Sequence, residues 1–168
     1  MADIESLRSD VNSLVAAIFT AIDSYAEETF ISEIDALAAR LPANDPDGLF
    51  HKACARDSWG HSDKAIPLYR QALDIGGLTG EHRRRAVIQM ASSMRNVGQV
   101  EAALELLLAE RDRGTDHLDD ALACTTALCL SSLGRDKEGL SMVLVALAKH
   151  LPRYNRSMTT YGKALMET

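Results

Sequence analysis

Apolar residues recur every three or four positions through most of the chain, and runs of strictly alternating β-branched residues are absent. Glycine and proline are sparse. They separate long stretches rich in Ala, Leu, Glu and Arg, which all favour helices. The pattern therefore predicts an all-α protein.

The first apolar seam starts near the N-terminus with alternating steps of three and four, and its members are Ile4, Leu7, Val11, Leu14, Ile18, Ala21 and Tyr25. Polar residues then interrupt this phase, and a second seam follows through Ile31, Ile34, Ala38 and Leu41. We expect a helix over about residues 4–24, a break before Phe30 and a second helix ending near Leu41. Because an exposed seam would aggregate, it must either pair two chains as a homodimer or fold back on the second seam.

Three copies of a small-residue pattern come next, beginning at Gly60, Gly98 and Gly134, which lie 38 and 36 residues apart. Seven residues before each glycine stands an alanine, namely Ala53, Ala91 and Ala127. Five residues after each glycine stands another small residue, namely Ala65, Ala103 and Gly139. Glycine allows a turn at positive φ, and small side chains on both helices allow close approach. The pattern therefore predicts three pairs of antiparallel helices.

These segments resemble the tetratricopeptide repeat, whose unit has roughly 34 residues. The resemblance covers about residues 46–150 and rests on the stretches ACARDSWGHSDKAIPLYRQAL, QMASSMRNVGQVEAALELL and ALCLSSLGRDKEGLSMVLVAL. One departure is that the large aromatic often found early in the first helix is replaced by Leu49, Val87 and Ala123. The resemblance implies a right-handed α-solenoid of helix pairs, with repeats over about 46–79, 84–115 and 120–150. The chain is similar to small stand-alone bacterial members of this family.

With 168 residues, 46 % of them hydrophobic, the chain is expected to form a single domain over 1–168. N-terminal helices over 4–41 and a C-terminal helix over 152–166 would cap the ends of the solenoid. The pair Asp45-Pro46 predicts a helix start, because the aspartate can cap the helix and proline suits its first position. Ser62 and Thr115 are expected to cap later helices in the same way.

The resemblance implies a concave groove, lined by the first helix of each repeat, that holds an extended peptide or a partner's helix. The groove candidates are Phe50, Cys54, Asp57, Arg85, Ile88, Gln89, Ser92, Arg95, Asn96, Leu128 and Ser131. Arginine suits carboxylates, and Asn or Gln can bond a peptide backbone. The sequence predicts a protein- or peptide-binding adaptor that favours an acidic or carboxylate-bearing segment. The plain alternative is a solvated helix face, and the functional alternative is a structural homodimer through the N-terminal helix.

The formal net charge of -6 argues against nucleic acid as a partner. The longest apolar run is too short for a membrane span, and three cysteines make a disulfide framework a poor prediction, so we expect a cytoplasmic protein. His51, Cys54, Asp57 and His61 are a weak metal candidate, because His61 falls past the expected helix end. There is no glycine-rich phosphate loop. We predict a non-enzyme without a metal or cofactor.

Overall fold

A computed structural model describes residues 3–167 of the chain, and within this range all regular structure is helical. The helices are α1 Ile4–Thr20, α2 Glu27–Ala38, α3 Pro46–Ser58, α4 Ser62–Ile75, α5 His82–Asn96, α6 Val100–Arg111, α7 Asp119–Ser132, α8 Asp136–Ala148 and α9 Asn155–Ala164. A short 3-10 turn, Ile22–Ser24, follows α1. The all-α prediction is confirmed.

The chain divides into two compact units, Met1–Ser93 and Met94–Thr168. The first contains α1 to α4 and most of α5. The second contains the end of α5 and the helices α6 to α9. The prediction of one domain over 1–168 stays a prediction.

The core of the first unit lies where α1 and α2 pack together and against α3. Its buried members are Val11, Val15, Phe30, Ile34, Leu41 and Ala55. The rings of Phe19 and Tyr25 meet Phe30 edge-on, with centroids 5.1 and 5.8 Å apart. The N-terminal seam is therefore covered by helices of its own chain, as in the fold-back alternative.

Three members of the predicted seam, Ile4, Leu14 and Ala21, are exposed, and in the middle of α1 the buried position is shifted by one residue. Val15 is buried at 3 % exposure, whereas Leu14 points outward with 44 % exposure. A straight helix has 3.6 residues per turn, so a strict heptad phase drifts around it, and the step from Val11 to Val15 restores the buried face. The helix also ends at Thr20 rather than near Ser24, and the 3-10 turn completes the predicted break.

Close helix contacts occur at the small residues of the repeating pattern. In the first unit, Ala53 of α3 and Ala65 of α4 have no exposed surface, and Gly60 between these helices has a φ of 80°. In the second unit, a Cβ placed on Gly139 would lie 2.9 Å from the carbonyl oxygen of Ala127. The expectation that small residues bring paired helices together is confirmed in the α3–α4 and α7–α8 pairs.

One of the three predicted helix caps is correct. Asp45 caps α3, and its side chain accepts hydrogen bonds from the backbone N–H groups of Asp47 and Gly48 at 3.0 and 3.3 Å. Ser62 is instead the first residue of α4, and Thr115 lies in the loop before α7, which begins at Asp119. Those two predictions are wrong, because the N-cap residues are His61 and Leu118 and neither helix has a side-chain cap hydrogen bond.

Candidate functional site

Three of the groove candidates lie on α5 within the first unit. Arg85, Gln89 and Ser92 are each partly exposed, while Val87 and Ala91 on the other side of the helix are buried. Residues one helical turn apart share a face, so the three polar side chains lie in a row. We call this row, Arg85 to Ser92, the α5 stripe.

Arg85 lies at one end of the stripe and is held in place by two contacts. Its guanidinium carbon is 5.3 Å from the centroid of the Phe50 ring, and its Nη1 is 3.3 Å from a carboxylate oxygen of Glu81. Phe50 itself is only 1 % exposed, while the side chain of Arg85 keeps 40 % of its surface exposed. Phe50 therefore supports Arg85 from beneath and offers no surface of its own to a ligand.

Below the stripe, polar side chains of α3 and α4 form a buried network with α5. The hydroxyl of Ser93 donates to Asp57 at 2.5 Å, and the hydroxyl of Tyr69 lies 3.4 Å from the other oxygen of Asp57. Tyr69 is also 3.6 Å from the sulfur of Cys54, whose thiol lies 3.5 Å from the amide oxygen of Gln89. Gln89 is therefore fixed from below, like Arg85.

Burial dominates the titration of this network. It raises the pKa of Asp57 above its usual value and the pKa of the Cys54 thiol to about 12. The pKa of Tyr69 is also raised, first by burial and then by the neighbouring Cys54 and Asp57. A thiol with this pKa stays protonated at neutral pH, so Cys54 is a packing residue rather than a nucleophile.

A second buried network, which sequence reasoning missed, joins α1 to α3 and to the start of α5. Asp47 has no exposed surface and accepts hydrogen bonds from the hydroxyl of Thr79 at 2.6 Å, the backbone N–H of Thr79 at 3.1 Å and the Nδ1 of His82 at 3.0 Å. The side-chain amide of Asn12 donates to the Thr79 hydroxyl at 3.3 Å, and its oxygen accepts a hydrogen bond from the Nε2–H of His51 at 2.6 Å. These partners are 32 to 67 residues apart in sequence, so no local pattern could reveal them.

The surroundings of this second network shift two pKa values in the same direction. Burial, reinforced by the nearby His82, lowers the pKa of His51 to about 4. Burial alone would raise the pKa of Asp47, but hydrogen bonds from His82 and Thr79 outweigh it and lower the pKa to about 2. His51 is therefore neutral and Asp47 ionised at neutral pH.

The structure separates the residues of the weak metal candidate. His51 contacts Asn12, Cys54 contacts Tyr69, and His61 lies beside Glu27. Over residues 3–167, no three His, Cys, Asp or Glu side chains come together in a way that could hold a metal ion.

In the second unit, Arg95 is anchored to α7. Its Nε lies 3.2 Å from the carbonyl oxygen of Leu128 and 2.9 Å from the hydroxyl of Ser132. Leu128 keeps 50 % of its surface exposed, and the neighbouring Cys124 is also exposed. Ser131 is exposed and donates to Asp136 at 2.6 Å. The face of α7 beside Arg95 is therefore more apolar than the α5 stripe.

The eleven groove candidates fall into three groups by exposure. Phe50 and Cys54 are buried, so they can act only through the residues above them. The intermediate group is Asp57, Arg85, Ile88, Gln89, Ser92 and Arg95, and the exposed group is Asn96, Leu128 and Ser131. That these residues bind a ligand stays a prediction.

Within residues 3–167, no helix has both the length and the apolar character needed to cross a membrane.

A family model described as "Tetratrico peptide repeat" matches residues 46–165, well over half of the chain. No curated protein and no solved structure matches the chain.

Proposed function

Since the chain belongs to the tetratricopeptide-repeat family, we propose that it is an adaptor that binds a segment of a partner protein through the α5 stripe. Repeats of this family are generally non-catalytic modules for protein–protein interaction. The stripe is partly exposed, polar and supported from beneath by buried residues. Such a surface loses little side-chain entropy when a partner binds, because its residues are already ordered.

The placement of Arg85 over the Phe50 ring carries this proposal. A guanidinium has five N–H donors, and the contact with Glu81 leaves others to face a ligand. Because this planar fork matches a carboxylate, the partner segment is proposed to be acidic or carboxylate-bearing. The thiol of Cys54 lies on the oxygen side of the Gln89 amide, so the NH2 group of Gln89 is available to bond a peptide carbonyl.

The overall charge of the protein makes this preference testable. The chain carries a formal net charge of -6, so an acidic segment is repelled at long range and attracted only close to cations such as Arg85. The local attraction is screened by salt, and the contribution of Arg85 to the affinity should therefore shrink as ionic strength rises.

The test begins with copurification of the full chain from the cells that make it, followed by mass spectrometry to identify the partner. Calorimetry then compares the wild type with Arg85→Ala, which should weaken binding by roughly tenfold through the loss of a charge-assisted hydrogen bond. The matched control is Arg70→Ala, which removes an exposed arginine of α4 in the same unit. A partner that binds the Arg85→Ala protein as tightly as the wild type at all salt concentrations would contradict the proposal.

The packing of the N-terminal seam gives the homodimer alternative no support. Val11 and Val15 of the N-terminal seam are buried within their own unit, and only scattered members such as Ile4 and Leu14 are exposed. Single exposed apolar residues are normal on protein surfaces, so they need no second chain to cover them.

A further inference from the structure

The second unit contains a cavity of about 450 Å³ between α7, α8 and the loop that precedes α7. Leu122 and Ala123 of α7 form one wall, and Met142 and Val145 of α8 form the other. Close-packed interiors leave few voids larger than a water molecule, whereas binding sites for small organic groups begin at roughly 300 Å³. The space is therefore large enough to hold a small organic group.

The cavity has an identifiable cause in the repeating pattern. Four residues before each inward-facing alanine of the three repeats stand Leu49, Val87 and Ala123. Leu49 and Val87 are buried, at 7 and 1 % exposure, and fill their positions with branched side chains. The third repeat has only a methyl group at this position, and that methyl group lines the cavity. A missing side chain thus leaves this space unfilled by the chain itself.

Charges at the mouth of the cavity balance one another. Two cations, Arg111 and Lys149, stand with two carboxylates, Asp119 and Asp120. The Nζ of Lys149 lies 2.8 Å from Asp120. Most of the lining is apolar, although the buried Thr126 and Ser141 also border the cavity, and the hydroxyl of Thr126 already donates to the carbonyl oxygen of Leu122. Because the charges at the mouth balance, the group that fits is uncharged and largely apolar.

Two residues of the lining favour an aromatic ring over an aliphatic group. The thioether of Met142 makes favourable contacts with ring edges and adapts to irregular shapes. The guanidinium of Arg111 can lie against the face of a ring. Exposed polar side chains around an apolar pocket also match the usual surroundings of an aromatic anchor residue in a protein interface.

We propose that this cavity receives an aromatic side chain from a partner protein. The site lies wholly in the second unit and shares no residue with the α5 stripe, so it does not depend on the function proposed for the stripe. The partner inserts a side chain where the first two repeats carry Leu49 and Val87 of their own.

The test uses the full chain with 13C-labelled methionine methyl groups, because Met142 lines the cavity whereas Met90 and Met158 do not. The probe is a blocked pentapeptide with tryptophan at its centre and alanine elsewhere, and the reference is blocked pentaalanine. A saturable shift of the Met142 methyl resonance is expected with the tryptophan peptide, together with unchanged Met90 and Met158 resonances. Pentaalanine should leave all three unchanged.

A variant that fills the cavity completes the test. Ala123→Trp should weaken binding of the tryptophan peptide at least tenfold, and Ala123→Leu, which introduces the first-repeat residue, should do so to a smaller extent. The matched control is Ala121→Trp, an exposed position on the same helix that does not line the cavity, and it should bind like the wild type. If Ala123→Trp does not fold, the weakened binding of the tryptophan peptide is measured with Ala123→Leu alone.

Three outcomes would overturn the proposal. The first is the absence of any Met142 shift with the tryptophan peptide. The second is a shift that persists in both Ala123 variants, which would place the binding elsewhere. The third outcome concerns free indole, which is titrated as an additional probe. A Met142 shift with indole but not with the peptide would show that the cavity takes a small aromatic molecule rather than a partner's side chain.

Discussion

The α3–α4 pair of the first unit and the α7–α8 pair of the second share one spacing of small residues but fill the space around it differently. In the first pair, Leu49 and Tyr69 occupy the interior at 7 and 0 % exposure. In the second pair, Ala123 borders a cavity of about 450 Å³. The shared spacing fixes how closely two helices approach, whereas the larger side chains beside it decide whether the interior is closed or open.

Buried polar groups add to this difference. The first unit holds Asp47 and Ser93 at zero exposure, each with a hydrogen-bonded partner on another element. In the second unit, α7 and α8 expose Leu128, Leu140 and Leu147 at about half of their surface. Fully buried, hydrogen-bonded polar side chains therefore help to specify the packing of the first unit, and the α7–α8 pair exposes three large apolar side chains.

The largest effect is expected from a substitution that breaks the second buried network, which is centred on Asp47. Asp47→Ala should lower the free energy of unfolding by about 3 to 5 kcal/mol, because it leaves the buried groups of Thr79 and His82 without their acceptor. Urea unfolding followed by circular dichroism measures the loss. The matched control is Asp63→Ala, an exposed aspartate in the first turn of α4, which should cost about 0.5 kcal/mol. Equal losses in the two variants would show that the network is not what stabilises the first unit.

The comparison between the two helix pairs is sharpened by exchanging their residues. Leu49→Ala should lower the free energy of unfolding by about 2 to 4 kcal/mol, because it opens a cavity in a filled interior. Ala123→Leu should raise it by about 0.5 to 1 kcal/mol, because it fills a cavity that already exists. Urea midpoints of the two variants check both signs. A loss of stability in Ala123→Leu would indicate that the second interior is already closed in solution.

A third expected effect concerns pH. The folded pKa of His51 is lowered to about 4, so its neutral form favours folding, and this contribution is present above the unfolded value of 6.5 and lost as pH falls from 6.5 to about 4. The loss should reach about 2 to 3 kcal/mol at pH 4. Asp47, whose pKa is lowered to about 2, adds a further loss only below 3.8.

Urea unfolding across pH 4 to 7 isolates the contribution of His51. His51→Gln keeps a donor for Asn12 but removes the titration, so its stability should vary less over this range than that of the wild type. His150→Gln alters an exposed histidine of the second unit and should leave the slope unchanged. An identical slope in His51→Gln and the wild type would assign the acid sensitivity to other groups.

Much of the candidate site could be predicted from sequence, because the α5 stripe depends on a period that is local to one helix. The spacing of Arg85, Gln89 and Ser92 against Val87 and Ala91 is visible in the letters alone. The support beneath the stripe could not be predicted in the same way. Phe50 was a candidate ligand contact, but it lies under Arg85 because α3 and α5 meet at that point.

By itself, the sequence determined the helical class, the three glycine turns and the small residues at helix contacts, because each depends on steric rules within a few turns of chain. The tertiary structure decided that Val15 rather than Leu14 faces inward, because only packing against α2 selects one phase of a seam. It also decided the link between His51 and Asn12 and the space beside Ala123. Hydrogen bonds between distant residues and unfilled volume are properties of assembled elements, and no single segment encodes them.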